Sequence, residues 1–140
     1  MTIIFRYKKV KRPDNSEVRI PSIPIQLMFK EKFDTIALLD SGADISAIPL
    51  SIAEIIGIDL SQKRSFAYGI GGKVESIETK INIIIEKGHE KYAFEIPIKV
   101  ILDHYDFPVI LGREGFFDKF VITFNQNKEK ISLKYVNNNK

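Results

Sequence analysis

Two extended stretches, Lys73–Glu86 and Lys91–Leu102, flank a polar turn at Lys87–Glu90, and they set the class of fold. The first contains the β-branched run Ile81–Ile85, which suits a pleated sheet better than a helix. Earlier in the chain, Ile20–Phe29 and Phe33–Leu39 are apolar with some alternation and are separated by the polar Lys30–Lys32, the pattern of a β-hairpin. Ile131–Val136 reads as a last short strand, and "VNNNK" at the end is expected to fray. Helix is confined to short pieces. Ser51–Leu60 allows one helix or turn, with Ile52, Ala53 and Ile56 on related faces, and Glu114–Phe120 allows another that buries Phe116, Phe117 and Phe120. No strand alternates regularly with a long helix, which argues against a Rossmann-like domain. The expected architecture is all-β, closed or partly closed as a barrel.

A chain of 140 residues suffices for one domain with a modest core. The absence of cysteine excludes disulfides, a thiol nucleophile and thiolate metal sites. Two histidines, His89 and His104, lie in polar surroundings and read as surface residues, so no metal site is expected. With no Trp and ten Phe, the aromatic part of the core is expected to be mainly Phe. The N-terminal apolar run is too short for a signal peptide, and no stretch approaches the length of a membrane span, so a cytoplasmic protein without membrane contact is expected. The formal charge is +3, with a basic cluster at Arg6–Arg12. A short charge run is ordinarily a solvated surface, so nucleic acid is an unfavoured partner.

The chemistry concentrates in "IALLDSGADISAIP", Ile36–Pro49. An apolar run ends in Asp40, and a second apolar run starts at Ile45. Asp-Ser-Gly alone is a common turn. Here it sits between buried-looking segments, and a carboxylate there needs hydrogen-bond partners. The Ser41 hydroxyl and the Gly42 N–H can supply them. "AYGIGGKVE", Ala67–Glu75, reads as a glycine-rich β-turn; it lacks the Lys-Ser/Thr of a phosphate-binding loop and is no dinucleotide fingerprint. Gly112 in "VILGR" either packs tightly against neighbouring loops or simply precedes the helix. Ala37, Ile48, Ile83, Ile85 and Val109 either line a cleft or belong to the core.

"LLDSGADIS" at Leu38–Ser46 resembles the active-site motif of the retropepsin-like aspartic proteases. "GIGG" at Gly69–Gly72 resembles the tip of that family's flap hairpin, and "VILGR" at Val109–Arg113 resembles the segment that opens its C-terminal helix. Ser41 stands where viral members usually carry Thr. The resemblance covers roughly residues 23–124. It implies a protease domain there, an N-terminal segment 1–22 that contributes to a dimer, and a C-terminal strand and tail at 125–140. "TIIF" and "ISLKYV" are candidates for pairing across that dimer. The implied fold is a retropepsin-like acid-protease barrel with a flap hairpin and one short C-terminal helix.

With a single Asp-Ser-Gly, the resemblance implies a homodimer in which each subunit supplies one Asp40 to an aspartic endopeptidase site, with no cofactor. Ser41 and Gly42 would support the site. Ala43, Asp44, Gly69, Ile70, Gly71 and Gly72 would contact an extended peptide or protein substrate, and Asp44 would form a structural pair with a partly buried Arg113. For Asp44 a plain turn or cap role is the competing reading. The alternative for the whole chain is a peptide-binding or assembly domain of the same fold with little or no hydrolysis.

Overall fold

The computed structural model describes residues 2–136; Asn137–Lys140, part of the tail expected to fray, lie outside the described residues. Twelve strands and one α-helix follow one another in this span. The strands are β1 (Thr2–Arg6), β2 (Lys8–Lys11), β3 (Glu17–Ile20), β4 (Ser22–Met28), β5 (Lys32–Leu39) and β6 (Ser46–Pro49). After α1 (Leu50–Ile56) come β7 (Arg64–Gly69), β8 (Gly72–Lys87), β9 (Glu90–Ile101), β10 (Val109–Leu111), β11 (Phe120–Asn125) and β12 (Lys130–Tyr135).

The main sheet runs β4-β5-β10-β6-β9-β8-β7, and an additional pairing of β4 with β8 closes six of these strands into a ring. Closure leaves no open edge within the ring. The length of β8 makes this possible. Its first residues, Gly72–Ile77, pair with β7; Ser76–Lys87 pair with β9; and Asn82–Ile84 also meet β4. Along β8, Ile77, Ile81, Ile83 and Ile85 are buried, the period-2 pattern of a strand with one face in a core. Ile25, Leu27, Ile96, Ile98, Phe116 and Phe120 join them in one apolar cluster. The buried aromatics are Phe5, Phe116 and Phe120 with Tyr7, so phenylalanine does dominate the aromatic part.

α1 stops where Gly57 adopts φ +84° and its N–H turns back to the carbonyls of Ala53 and Glu54. Its Ile52, Ala53 and Ile56 face the core. The helix expected over Glu114–Phe120 shrinks to a single 3-10 turn at Phe117–Lys119. Gly115 explains this: at φ +83° it cannot continue a right-handed helix, and a Cβ there would come within 2.7 Å of Pro97. Phe116 and Phe120 are nonetheless buried, with Phe117 partly so.

The ends of the described chain pair with each other. β1 lies antiparallel to β12, and β12 to β11, forming a separate three-stranded sheet. "TIIF" and "ISLKYV" therefore pair within one chain. Ile3, Phe5, Ile131 and Leu133 point inward from this sheet, and they and Tyr7, just after β1, join the same core. β2 and β3 form a small hairpin of their own. Among the described residues, no helix is long and apolar enough to cross a membrane.

Candidate active site

The turn after β5 is built by backbone geometry. Ala37 and Leu39 are buried, so the strand is anchored up to its last residue. The Leu39 N–H donates to Pro21 O, and the Asp40 N–H donates to Leu111 O, both at 3.0 Å. The chain then doubles back: the Ala43 N–H donates to Asp40 O at 3.1 Å, and the Gly42 N–H donates to Asp40 Oδ1 at 2.9 Å. Asp40 is half-buried. One carboxylate oxygen is thus held by a backbone donor, a contact that fixes the side chain. A Cβ on Gly42 would stand 3.2 Å from the same oxygen, so glycine keeps this approach open.

A second loop locks against the turn. The Arg113 N–H donates to Ala43 O at 2.9 Å, and the Glu114 N–H donates to Asp44 O at 2.7 Å. Just before them, Gly112 is pressed against the segment that leads into β6. A Cβ there would fall 2.8 Å from the Ile45 carbonyl carbon and 2.9 Å from Ala43 O. Of the two readings of Gly112, tight packing is the one the structure supports. The Gly112 N–H donates to Ser46 Oγ at 3.0 Å in a buried setting. Sequence reasoning passed over Ser46. Its signal was a lone hydroxyl inside the apolar run Ile45–Ile48, where a buried polar group must have a partner.

Asp44 and Arg113 do not form the expected ion pair, and Arg113 is exposed rather than partly buried. The Arg113 guanidinium donates to Ser41 O at 2.7 Å, while Asp44 Oδ1 accepts from the Ile45 N–H at 2.8 Å. Among the described residues the ion pairs are Lys9–Glu17, Arg64–Glu75 and Lys99–Glu78. Each partner of the expected pair has a nearer backbone group to satisfy it, and in water an ion pair between exposed groups gains little. Arg113 thereby holds the Asp40 turn through its main chain. Ser41 is exposed and Ala43 half-buried.

Ile70 and Gly71 form the two-residue tip of the β7–β8 hairpin, closed by Gly69 opposite Gly72, with Gly72 at φ +114°. Ile70 stands fully exposed there, at 111% relative accessibility. The Arg64–Glu75 pair at 2.6 Å and Lys73 over the Phe66 ring brace the hairpin lower down. A cavity of about 540 Å³ lies at this base, lined by Leu50, Glu54, Arg64, Glu75, Leu102 and His104 among others; Asp40 is not in its wall. Ala37, Ile48, Ile83, Ile85 and Val109 are all core residues. His89 and His104 are exposed, and among the described residues no group of His, Asp and Glu is placed to hold a metal ion.

No family model matches the sequence, and no curated protein does. Among solved structures, a retropepsin-like aspartic protease from Rickettsia conorii superposes with a TM-score of 0.60 at 18% identity, over 96% of this chain and 91% of that one. EIAV protease complexed with the inhibitor HBY-793 matches with a TM-score of 0.46 at 22% identity, over 68% of this chain and 83% of that one. The first of these similarities assigns the fold: a retropepsin-like all-β barrel.

Proposed function

We propose that this chain, with its retropepsin-like fold, is an aspartic endopeptidase that works as a homodimer. The observation that carries the reading is the Asp40 turn: a half-buried carboxylate at the end of a core strand, with Oδ1 held by the Gly42 N–H at 2.9 Å. Asp14 and Asp59 accept the same backbone contact in exposed turns; Asp40 differs in being half-buried at the end of a core strand, with a second loop locked against its turn. The chain has one such Asp-Ser-Gly, so a pair of carboxylates requires two copies, and a two-fold axis beside Asp40 supplies them from one residue. In this reading residues 23–124 form the protease domain, flanked by 1–22 and 125–140, and the enzyme works in the cytoplasm.

Two carboxylates a few ångströms apart do not both ionise readily, so the pair holds one proton between them. The ionised Asp40 takes a proton from a water held by the pair as the water oxygen attacks the peptide carbonyl carbon. The protonated Asp40 gives its proton to the carbonyl oxygen. The Asp40 that took the water's proton then passes it to the leaving nitrogen, while the other Asp40 takes a proton back from a hydroxyl of the diol as the C=O re-forms and the C–N bond breaks, so the pair again holds one proton. No cofactor enters this sequence. Ser41 and Gly42 hold the turn. Ala43 and Asp44 border the substrate, and Gly69–Gly72 closes over it, with Ile70 as the apolar contact and glycines allowing backbone approach.

Digestion of a diverse peptide mixture across acidic to neutral pH tests this, with Asp40→Asn in parallel and the dimer confirmed in the same samples. Cleavage by the native protein and none by a folded, dimeric Asp40→Asn is expected. Cleavage retained by a clean Asp40→Asn preparation would exclude the mechanism. A native dimer that cleaves nothing would instead favour a peptide-binding or assembly domain.

A further inference from the structure

The register of the terminal sheet brings cations from both ends of the chain onto one face. On the inner side of its three strands Ile3, Phe5, Phe120, Ile131 and Leu133 enter the core, and the residues of the opposite side form three rows across β1, β12 and β11. The rows are Thr2–Lys134–Val121, Ile4–Ser132–Thr123 and Arg6–Lys130–Asn125. All nine are exposed except the central Ser132, which is half-buried. Three carry positive charge and none is a carboxylate. Arg6 and Lys130 face each other directly across the strands. Like charges so placed destabilise a sheet, and no acidic side chain forms an ion pair with either among the described residues. A fold gains nothing from that arrangement, whereas an anionic ligand would.

We infer that this face docks on the phosphate backbone of a nucleic-acid duplex. Lys130 and Lys134 are separated by four residues of extended chain, about 13 Å, close to the ~12 Å width of a duplex major groove. The two ends of the face can therefore reach phosphates on opposite sides of a groove. Thr2, Thr123 and Ser132 supply hydroxyl donors of the kind that bind phosphate oxygens. The contact reads no sequence. The face does not suit a second copy of the chain, because a two-fold contact would set three cations against three with no carboxylate between them. A lipid surface fits less well. Ile4 and Val121 lie in different rows on the two outer strands, with Lys134 and Ser132 between them, and no aromatic residue stands on the face. Arg6 belongs to the basic run near the N-terminus, but Lys130 and Lys134 come from the other end of the sequence. The face is therefore a product of the fold and independent of any proteolytic role.

The test is binding of the full chain to a short fluorescein-labelled DNA duplex over a salt series, beside flotation with phosphatidylserine-containing vesicles. The variant Arg6→Gln/Lys130→Gln/Lys134→Gln is compared with Lys32→Gln/Lys63→Gln/Lys91→Gln, which removes the same charge elsewhere. Three phosphate contacts predict that the first variant weakens binding at least about tenfold and flattens the log–log salt slope by about 2 to 3. The second is expected to keep the native slope. Should the first variant fold poorly, Lys134→Gln alone is expected to lower the slope by about 1. Absence of duplex binding, equal losses in both triple variants, or binding to vesicles alone would overturn the inference.

Discussion

The backbone N–H of Gly112 donates to the hydroxyl oxygen of Ser46 at 3.0 Å, tying the loop after β10 to β6 beside the Asp40 turn. Both residues are buried. Ser46→Ala would strand that N–H without water. A loss of about 1–3 kcal/mol is expected, read from urea denaturation. An unchanged midpoint would mean that the N–H has another acceptor within reach.

Gly112→Ala tests the same junction by volume. Its Cβ would meet main-chain atoms of Ala43 and Ile45, which have no rotamer with which to give way. A loss of about 3 kcal/mol or more is expected, larger than that of Ser46→Ala. A variant as stable as the native protein would show that the two loops can separate at little cost.

Asp44 and Arg113 are expected to behave independently. A double-mutant cycle with Asp44→Asn and Arg113→Gln should give a coupling near zero; more than about 1 kcal/mol would reveal an ion pair after all. Arg113→Gln alone frees the Ser41 carbonyl from its 2.7 Å contact. If the chain is a protease, that change should lower kcat more than it raises KM, because it loosens the turn carrying Asp40.

Ile70→Ser is expected to leave thermal stability unchanged within about 0.5 kcal/mol, since the side chain is in water. In the proposed enzyme it should raise KM several-fold for peptides with apolar residues at the cleavage site. A fall in kcat with KM constant would argue that the tip acts in the chemical step and not in holding substrate.

Tyr92 sets an alkaline limit. Its hydroxyl donates to Glu90 Oε2 at 2.9 Å, and this bond, with burial and the Glu90 charge, raises the phenol above the ordinary value of 10.0. The folded state therefore favours the protonated phenol. Its contribution is whole below pH 10.0 and is lost as pH rises through the raised value. Tyr92→Phe should show a shallower loss of stability in that range while keeping its ring against Tyr135. Identical alkaline profiles would remove Tyr92 from the account.

What the sequence disclosed depended on distance along the chain. The β4–β5 and β8–β9 hairpins were legible because alternation and a polar turn lie within one window. The Asp40 turn was legible because Asp, Ser and Gly are contiguous. The Asp44–Arg113 pair was misread because opposite charge says nothing of competing backbone groups: the Ser41 carbonyl and the Ile45 N–H took the two side chains. Gly115 was overlooked as a helix breaker because its φ of +83° has no sign in the local sequence, and Pro97, whose ring leaves no room for a Cβ there, is a neighbour only in the fold. The pairing of β1 with β12 had no local sign, since its two strands stand at opposite ends of the described chain.

That pairing has a consequence for synthesis. Ile3, Phe5 and Tyr7 leave the ribosome long before the strand that shields them, β12. Until then, an apolar edge of the nascent chain has nothing native to lie against, which is the condition under which chaperones bind and aggregation begins. A chain stopped before Lys130 would lack β12 and stay in that state, so a truncation there should be felt at the far end of the sequence, in β1.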